Sequence, residues 1–200
     1  MSTSASSSSE LRAVNARIAT AYDVMPFDSE AIPGIDPVRV LGVGALYGAA
    51  PAGDSFDILD LGCGTGVQMA RLGGLTKGRI VGADLSVSAC AAARARCAAF
   101  GSRVEVICGD LLDLEPARLG QFDLIYNVGV LYVTPPEVQR HVLSLMASCL
   151  KPGGVALLSY YAGTAPLLMA CSRSIGVSPS PRREWKIAAH RAANRCRRWP

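Results

Sequence analysis

Three closely spaced glycines that follow a short apolar run carry the strongest chemical signal in the 200-residue sequence. Residues 57–66 read Asp-Ile-Leu-Asp-Leu-Gly-Cys-Gly-Thr-Gly, in which Asp60 precedes Gly62 by two positions. Glycine lets the backbone turn sharply and lets a ligand approach without meeting a Cβ atom. A tight turn with no ligand is the alternative, but such a turn rarely needs an acid and three spaced glycines together. We therefore predict a ligand site at this loop.

The glycine spacing and Asp60 together restrict the kind of ligand. The order is G-x-G-x-G, whereas enzymes that bind a dinucleotide carry G-x-G-x-x-G at this point. A carboxylate at Asp60 would repel a pyrophosphate and attract an ammonium group. S-adenosylmethionine has an α-ammonium group, a sulfonium and no phosphate, and it is the cofactor that we predict. A nicotinamide-dependent oxidoreductase is the disfavoured alternative.

Two further apolar runs each end in an aspartate. Asp84 ends the run 80–84, about 20 residues after the glycine loop, where a carboxylate can accept hydrogen bonds from both ribose hydroxyls. Read alone, Asp84 could equally belong to the N-cap region of the next helix. Asp110 follows the run 104–108. It predicts contact with an adenine edge, either through its carboxylate or through the backbone N–H that follows; a solvated loop aspartate is the alternative.

A fourth apolar run, 122–127, ends in Asn127 and is followed by Val128 and Gly129. These residues are expected beside the cofactor, because the carboxyl ends of parallel strands share one edge of a sheet. Asp123 starts the same run, so we expect it at the opposite edge in a structural role. Residues 150–154 read Leu-Lys-Pro-Gly-Gly and predict a turn between a helix and the last strand.

Apolar runs alternate with helical stretches from residue 57 onwards. Strands are predicted over 57–61, 79–84, 103–108, 122–127 and 154–160. Helices are predicted over 67–72, 87–100 and 136–150, with earlier ones over 10–21 and 37–49 on either side of an irregular segment, 22–38. This alternation predicts an α/β fold with a doubly wound, mainly parallel sheet in the order 3-2-1-4-5.

Composition divides the chain into four predicted segments: a disordered leader over 1–9, a helical and irregular cap over 10–54, the cofactor-binding domain over 55–161, and a basic tail over 162–200. The tail holds eight Arg and Lys against one acid, whereas residues 1–161 hold 12 basic and 15 acidic residues. We expect the tail to be disordered or loosely helical and to add no strand to the sheet. Nucleic-acid binding by the tail is disfavoured.

Cysteine usage and hydropathy bear on the compartment. The seven cysteines are scattered and form no C-x-x-C pair, which predicts no metal site and a reduced, cytoplasmic protein. No apolar run reaches about 18 residues, so no membrane-spanning helix is expected.

The combination D-x-L-D-L-G-C-G-T-G, G-A-D-L-S, G-D, F-D-L-I and L-K-P-G-G over about residues 55–161 resembles the class I, Rossmann-like S-adenosylmethionine-dependent methyltransferases. The resemblance implies methyl transfer by in-line displacement to an acceptor, a small molecule or a protein, that the motifs do not identify. No catalytic residue is assigned. The cofactor-binding residues predicted here are Asp60, Gly62, Cys63, Gly64, Gly66, Asp84, Leu85, Asp110, Leu111, Asn127 and Val128.

Residues 21–27 and the later Ser-Tyr-Tyr at 159–161 also resemble bacterial methyltransferases that carry a C-terminal regulatory domain. In such enzymes an N-terminal Tyr-Asp segment often closes over the cofactor, which implies a cofactor contact for Tyr22. A packed surface aromatic is the equal alternative.

The sequence departs from the family after residue 161, where a further helix and an antiparallel hairpin are usual. We find no pair of β-rich segments there, so we predict that the hairpin is lacking and that the strand over 154–160 is an exposed edge through which copies of the chain could associate. A non-catalytic, S-adenosylmethionine-binding fragment or regulatory protein is therefore the alternative function.

Overall fold

The computed structural model describes residues 3–24, 37–46, 48, 51, 53–162 and 165–172. The helices are α1 (Thr3–Val24), α2 (Pro37–Leu46), α3 (Val67–Gly73), α4 (Val87–Arg96), α5 (Pro116–Leu119) and α6 (Pro136–Cys149). The strands are β1 (Ile58–Leu61), β2 (Ile80–Asp84), β3 (Val104–Cys108), β4 (Phe122–Asn127), β5 (Leu150–Ala162) and β6 (Ala165–Ser172). Short 3₁₀ helices lie at Ala98–Arg103, Leu111–Asp113 and Leu131–Val133.

The six strands form one sheet in the order β3-β2-β1-β4-β5-β6. Strands β1 to β5 are parallel, which confirms the predicted order 3-2-1-4-5. Strand β1 lies at the centre, where Ile58 pairs with Ile80 of β2 and with Leu124 of β4. All four residues of β1 are buried, because helices cover both faces of the sheet.

Side chains of successive strand residues enter two separate apolar layers. Leu59 and Leu61 pack on the side of α5 and α6, whereas Ile58 packs on the side of α2, α3 and α4. The period of two along β1 therefore places Asp60 on the same side as Ile58, towards α3 and α4.

The prediction that residues 162–200 contribute no strand is wrong. Strand β6 pairs antiparallel with β5 from Ala162↔Ala165 to Val155↔Ser172. Strand β6 is a single strand, so the described residues do not contradict the expectation that the further helix and two-stranded hairpin usual beyond residue 161 are lacking. A short apolar run such as 165–171 fits a helix or a strand equally well by its pattern. The free edge of β5 would present a row of unpaired N–H and C=O groups, which is a template for pairing with a neighbouring strand.

The structure also bears on two further expectations, one about the N-terminal residues and one about the edge of β5. Helix α1 begins at Thr3, so residues 3–9 continue the helix that was expected over 10–21 rather than forming a disordered leader. Extending an existing helix costs much less than nucleating one, which favours this continuation. Since β5 is paired with β6, it no longer offers the edge that we expected for association. Residues 173–200 lie outside the described part of the chain.

Within the described ranges, no helix has both the length and the apolar character needed to cross a membrane.

A charged cluster closes the amino-terminal edge of the sheet. Lys151 Nζ donates to Asp57 Oδ2 at 2.9 Å and to Asp123 Oδ2 at 2.8 Å. Asp123 Oδ2 also accepts from the backbone N–H of Asp57 at 2.8 Å. Asp123 thus lies at this edge, as expected. Partial burial raises the pKa of Asp57, but the backbone N–H of Arg79 and the ammonium of Lys151 outweigh it and hold the pKa below the ordinary 3.8.

We predict that Lys151→Met lowers the free energy of unfolding by about 1–2 kcal/mol, because two half-buried carboxylates lose their shared cation. The matched control is Lys77→Met: its ion pair with Asp54 is 78% and 71% exposed, and its loss should cost less than about 0.5 kcal/mol. Urea unfolding at neutral pH measures both. The difference between wild type and Lys151→Met should shrink as the pH falls below about 4 and the carboxylates take up protons. Equal losses for the two variants would contradict this account.

Candidate functional site

The loop between β1 and α3 is attached to the end of β2 by backbone hydrogen bonds. The N–H groups of Gly62 and Cys63 both donate to the carbonyl oxygen of Ala83, at 2.7 and 3.1 Å. Gly66 then starts α3 with φ of 77°, in the left-handed region that favours glycine. These hydrogen bonds and the backbone of Gly66 hold the loop in a defined conformation over the carboxyl ends of β1 and β2.

Close neighbours explain two of the three glycines. A Cβ atom on Gly62 would lie 2.1 Å from Cγ2 of Val130, and one on Gly66 would lie 2.8 Å from the Cα of Ala93 in α4. A Cβ on Gly64 would meet no atom within 4 Å. Packing thus requires glycine at Gly62 and Gly66, whereas the space above Gly64 is open to a ligand.

Asp84 links the glycine loop to the start of α4. Its Oδ2 accepts from the N–H of Gly64 at 2.8 Å, and its Oδ1 accepts from the N–H of Ser86 at 2.9 Å. A carboxylate offers about four acceptor positions, so each oxygen retains one for a further donor. Asp84 therefore orders the loop and can still accept from a pair of hydroxyl groups.

Asp60 is buried directly beneath the loop, with 3% of its surface exposed. Burial, and secondarily the nearby charge of Asp84, raise its pKa to about 7. The neighbouring Cys63 is also buried, and burial raises the pKa of its thiol well above the ordinary value. A cationic group placed near Asp60 would stabilise the ionised carboxylate that burial disfavours.

Two buried carboxamides near the strand ends have atoms without a partner among the described residues. Asn127 is fully buried, and its Nδ2 donates to the carbonyl oxygen of Leu61 at 2.9 Å, while its Oδ1 has no donor. Gln68, in the first turn of α3, is 6% exposed, and neither of its amide atoms has a partner. Leaving such groups unpaired costs about 1–3 kcal/mol each, which a ligand with matching groups would recover.

Asp110 caps the 3₁₀ helix that follows β3. Its Oδ1 accepts from the N–H of Leu112 at 2.9 Å, and its Oδ2 accepts from Nδ2 of Asn15 in α1 at 2.8 Å. The side chain of Leu111 is buried, with 8% exposed, and Leu85 is half-buried after β2.

Helix α1 contacts the loops after β2 and β3, which sequence reasoning missed. Asp23 Oδ1 accepts from the hydroxyls of Ser86 and Ser88, and these bonds lower the pKa of Asp23. Near the other end of the contact, Arg12 forms a two-bond ion pair with Asp113, at 2.7 and 3.1 Å. The one sequence signal for these contacts is that Arg12, Asn15 and Asp23 fall on one face of the helix.

The structure thus brings most of the predicted cofactor residues to one edge of the sheet. Asp60, Cys63 and the three glycines lie at the end of β1, and the remaining strand-end residues (Asp84, Leu85, Asp110, Leu111, Asn127 and Val128) follow β2, β3 and β4. Tyr22 is half-buried at the carboxyl end of α1, next to Asp23. The predicted contact of each of these residues with the cofactor stays a prediction.

The raised pKa of Asp60 predicts how stability depends on pH. The folded chain keeps the Asp60 proton up to about pH 7, whereas the unfolded chain loses it near pH 4. Asp60 therefore lowers the free energy of unfolding as the pH rises between these values. We predict that Asp60→Asn removes this loss, so that the variant gains stability relative to wild type from pH 4.5 to 7. Urea unfolding across this range tests it; parallel curves for the two proteins would contradict the burial of an ionisable Asp60.

Comparison with known proteins agrees with this geometry. Residues 58–154 match the family model described as a methyltransferase domain. The uncharacterised protein RP028 of Rickettsia prowazekii is 30% identical over 142 residues, which cover 70% of this chain and 56% of that protein. The carboxy-S-adenosyl-L-methionine synthase of Wolinella succinogenes is 31% identical over 105 residues, which cover 51% of this chain and 42% of that enzyme.

Among solved structures, PKMT2 from Rickettsia typhi in complex with AdoHcy is 31% identical, with a TM-score of 0.55. The match covers 62% of this chain and 24% of that one. The chain therefore spans about half the length of the two curated relatives and 24% of the PKMT2 chain. The family match, the sheet order and the structural likeness show that residues 58–154 form a methyltransferase domain with the class I, Rossmann-like fold.

Proposed function

We propose that the chain binds S-adenosylmethionine at the carboxyl edge of its sheet and transfers the methyl group to an acceptor by in-line displacement. The observation that carries the proposal is the set of buried polar groups around an open loop. Asp60 and Oδ1 of Asn127 are acceptors suited to an ammonium group, and the amide of Gln68 is a donor suited to a carboxylate. An amino acid moiety presents both of these groups.

The ribose and adenine parts of the cofactor have candidate partners on the neighbouring strands. Each oxygen of Asp84 has an acceptor position left after its bonds to Gly64 and Ser86, which suits the two ribose hydroxyls. Asp110 and the buried Leu111 stand beyond the next strand, where we propose that the adenine lies.

Methyl transfer requires little acid–base catalysis from the protein. The bound cofactor supplies a methyl group on a sulfonium, which is a good leaving group. The chain has to bind the acceptor in line with that methyl group and to exclude water, and alignment can contribute about 7–11 kcal/mol. The alternative is a chain that binds the cofactor without catalysis. The proposal includes an acceptor that is a small molecule or a protein, and a cytoplasmic location for the chain.

Gly64→Ala tests the position of the cofactor. The left-handed backbone of Gly64 makes alanine cost about 1–2 kcal/mol of stability wherever it is placed. Gly153→Ala is the matched control, because Gly153 also has positive φ and open space around it but lies at the opposite edge of the sheet. We expect similar losses of stability, but a loss of S-adenosylhomocysteine affinity of at least about tenfold for Gly64→Ala alone. Equal affinities by calorimetry would place the cofactor elsewhere.

A transfer assay tests the activity itself. The full chain is incubated with methyl-labelled S-adenosylmethionine and a cell extract, and label is counted separately in protein and in small molecules. Asp84→Ala is the negative control, and its affinity for S-adenosylhomocysteine should be at least about tenfold weaker because two charged hydrogen bonds are lost. Label in either fraction that depends on Asp84 supports methyl transfer. Tight binding of S-adenosylhomocysteine without transfer favours the non-catalytic alternative.

A further inference from the structure

Two cysteines from different elements meet at the outer side of the candidate site. Cys90 lies in α4 and is fully buried, whereas Cys108 ends β3 and is exposed. The carbonyl oxygen of Ile107, one residue before Cys108, is 3.8 Å from the thiol of Cys90, and Cys108 is near enough to contribute to the raised pKa of Cys90. Of the five cysteines whose side chains are described, Cys108 is the one that is exposed.

The meeting of these thiols follows from the way α4 lies over β3. Positions i, i+4 and i+7 of the helix share one face, and alternate residues of a strand share one face. Arg94, the next residue on the helix face, donates to the carbonyl oxygen of Val106, the next on the strand face, at 2.8 Å. Further along, the two faces border a groove of about 170 Å³ whose lining residues are Arg94, Cys97, Ala98, Gly101, Val104 and Val106. The two cysteines are thus opposite members of two facing rows.

The pair is connected to the backbone that holds the candidate site. The thiol of Cys90 donates to the carbonyl oxygen of Asp84 at 3.4 Å and lies 3.8 Å from that of Ile107. The same Asp84 oxygen accepts from the N–H of Gly109 at 2.9 Å. Asp84 and Cys108 are also register partners in β2 and β3.

We propose that Cys90 and Cys108 form an oxidisable thiol pair that a hydroperoxide converts to a disulfide, and that this modification weakens cofactor binding beside it. The first part stands on the position of the two cysteines opposite each other in the facing rows of α4 and β3. The second part rests on the proposed function, because it assumes that Asp84 and Asp110 contact the cofactor.

The exposure of the two thiols sets the order of the steps. The Cys108 thiolate, which oxidant can reach, attacks one oxygen of hydrogen peroxide; the O–O bond breaks, one water leaves and Cys108 becomes a sulfenic acid. The sulfur of Cys90 attacks the Cys108 sulfur, the S–O bond breaks, and the hydroxide leaves as water with the Cys90 proton. Two thiols lose two electrons, which reduce one peroxide to two waters. Burial raises the pKa of Cys90 to about 12, with Cys108 contributing, so little Cys90 thiolate forms at neutral pH and the second step is expected to be slower than the first.

Closing the disulfide changes the support of the site in two ways. It removes the S–H donor from the carbonyl oxygen of Asp84, and it draws the two sulfurs to the covalent distance of about 2.05 Å. The backbone on either side of the pair leads directly to Asp84 and to Asp110. We therefore expect affinity for S-adenosylhomocysteine to fall about five- to tenfold, as for the loss of one hydrogen bond.

Trypsin makes the disulfide easy to map, because the two cysteines fall in separate peptides, 80–94 and 104–118, each with a single cysteine. The reduced full chain is exposed to hydrogen peroxide, blocked with an alkylating reagent and digested without reductant. Mass spectrometry should show the two peptides linked, with the loss of two hydrogens. Cys97, which is buried and alone in peptide 97–103, is the internal reference and should stay unoxidised.

Two variants separate the steps. In Cys90→Ser, dimedone should trap a sulfenic acid on Cys108 that then proceeds to the sulfinic acid, because the second thiol is missing. In Cys108→Ser, peptide 80–94 should stay unoxidised at the same dose. A wild type in which Cys108 reaches the sulfinic acid without any linked peptide, or in which linkage is scrambled over all cysteines, would overturn the pair.

Calorimetry with S-adenosylhomocysteine tests the coupling. The oxidised wild type should bind about five- to tenfold more weakly than the reduced protein, dithiothreitol should restore the affinity, and Cys108→Ser should respond to neither treatment. A linked protein with unchanged affinity overturns the coupling to the cofactor. A reduced chain that binds no S-adenosylhomocysteine overturns the proposed function and with it the coupling, whereas peptide mapping still decides whether the pair is oxidised.

Discussion

Two positions of the loop between β1 and α3 have no room for a side chain. Gly66 lies against Ala93 of α4, and Gly62 lies against Val130 after β4. The position of α4 and the shape of the glycine loop therefore depend on each other. Asp84 at the end of β2 links the loop to α4. Its carboxylate accepts from the N–H of Gly64, and it precedes the N-cap of α4 by two residues. These contacts within the protein hold the loop in shape, so that binding need not be preceded by a costly ordering of the chain.

Charges are sorted between the two edges of the sheet. At the amino-terminal edge, Lys151 neutralises Asp57 and Asp123. At the carboxyl edge, burial, and secondarily the charge of Asp84, make Asp60 hold its proton more tightly by raising its pKa. The carboxylates at the amino-terminal edge stabilise the fold through Lys151. At the carboxyl edge, the burial of Asp60 lowers the free energy of unfolding but keeps a hydrogen-bond acceptor inside the protein. Such unfavourable arrangements concentrate at functional sites, where a ligand supplies what the protein lacks.

The sequence alone predicted the five parallel strands, their order and the edge at which the polar residues meet. Those features follow from local patterns, because each apolar run is short and each ends in a recognisable polar or glycine residue. Strand β6 could not be predicted, since its apolar run is stabilised by pairing with β5 and not by its own period. The contacts of α1 were equally hidden: Arg12 and Asn15 find partners 101 and 95 residues away, and polar residues on an exposed helix ordinarily indicate solvent. The contact between Cys90 and Cys108 left no trace in spacing, because it depends on how a helix crosses a strand.

Helix α1 is attached to the rest of the molecule chiefly through ions and hydroxyls. Its contacts include an exposed Arg12–Asp113 ion pair, an amide-to-carboxylate bond from Asn15, and Asp23 on the serines that begin α4. Interactions of exposed charges weaken as dissolved salt shortens the Debye length, to about 8 Å at physiological ionic strength. The apolar layers that hold the sheet carry no such dependence. The free energy that docks α1 onto the loops after β2 and β3 is therefore set in part by the surrounding electrolyte, and more so than the free energy that folds the sheet beneath it.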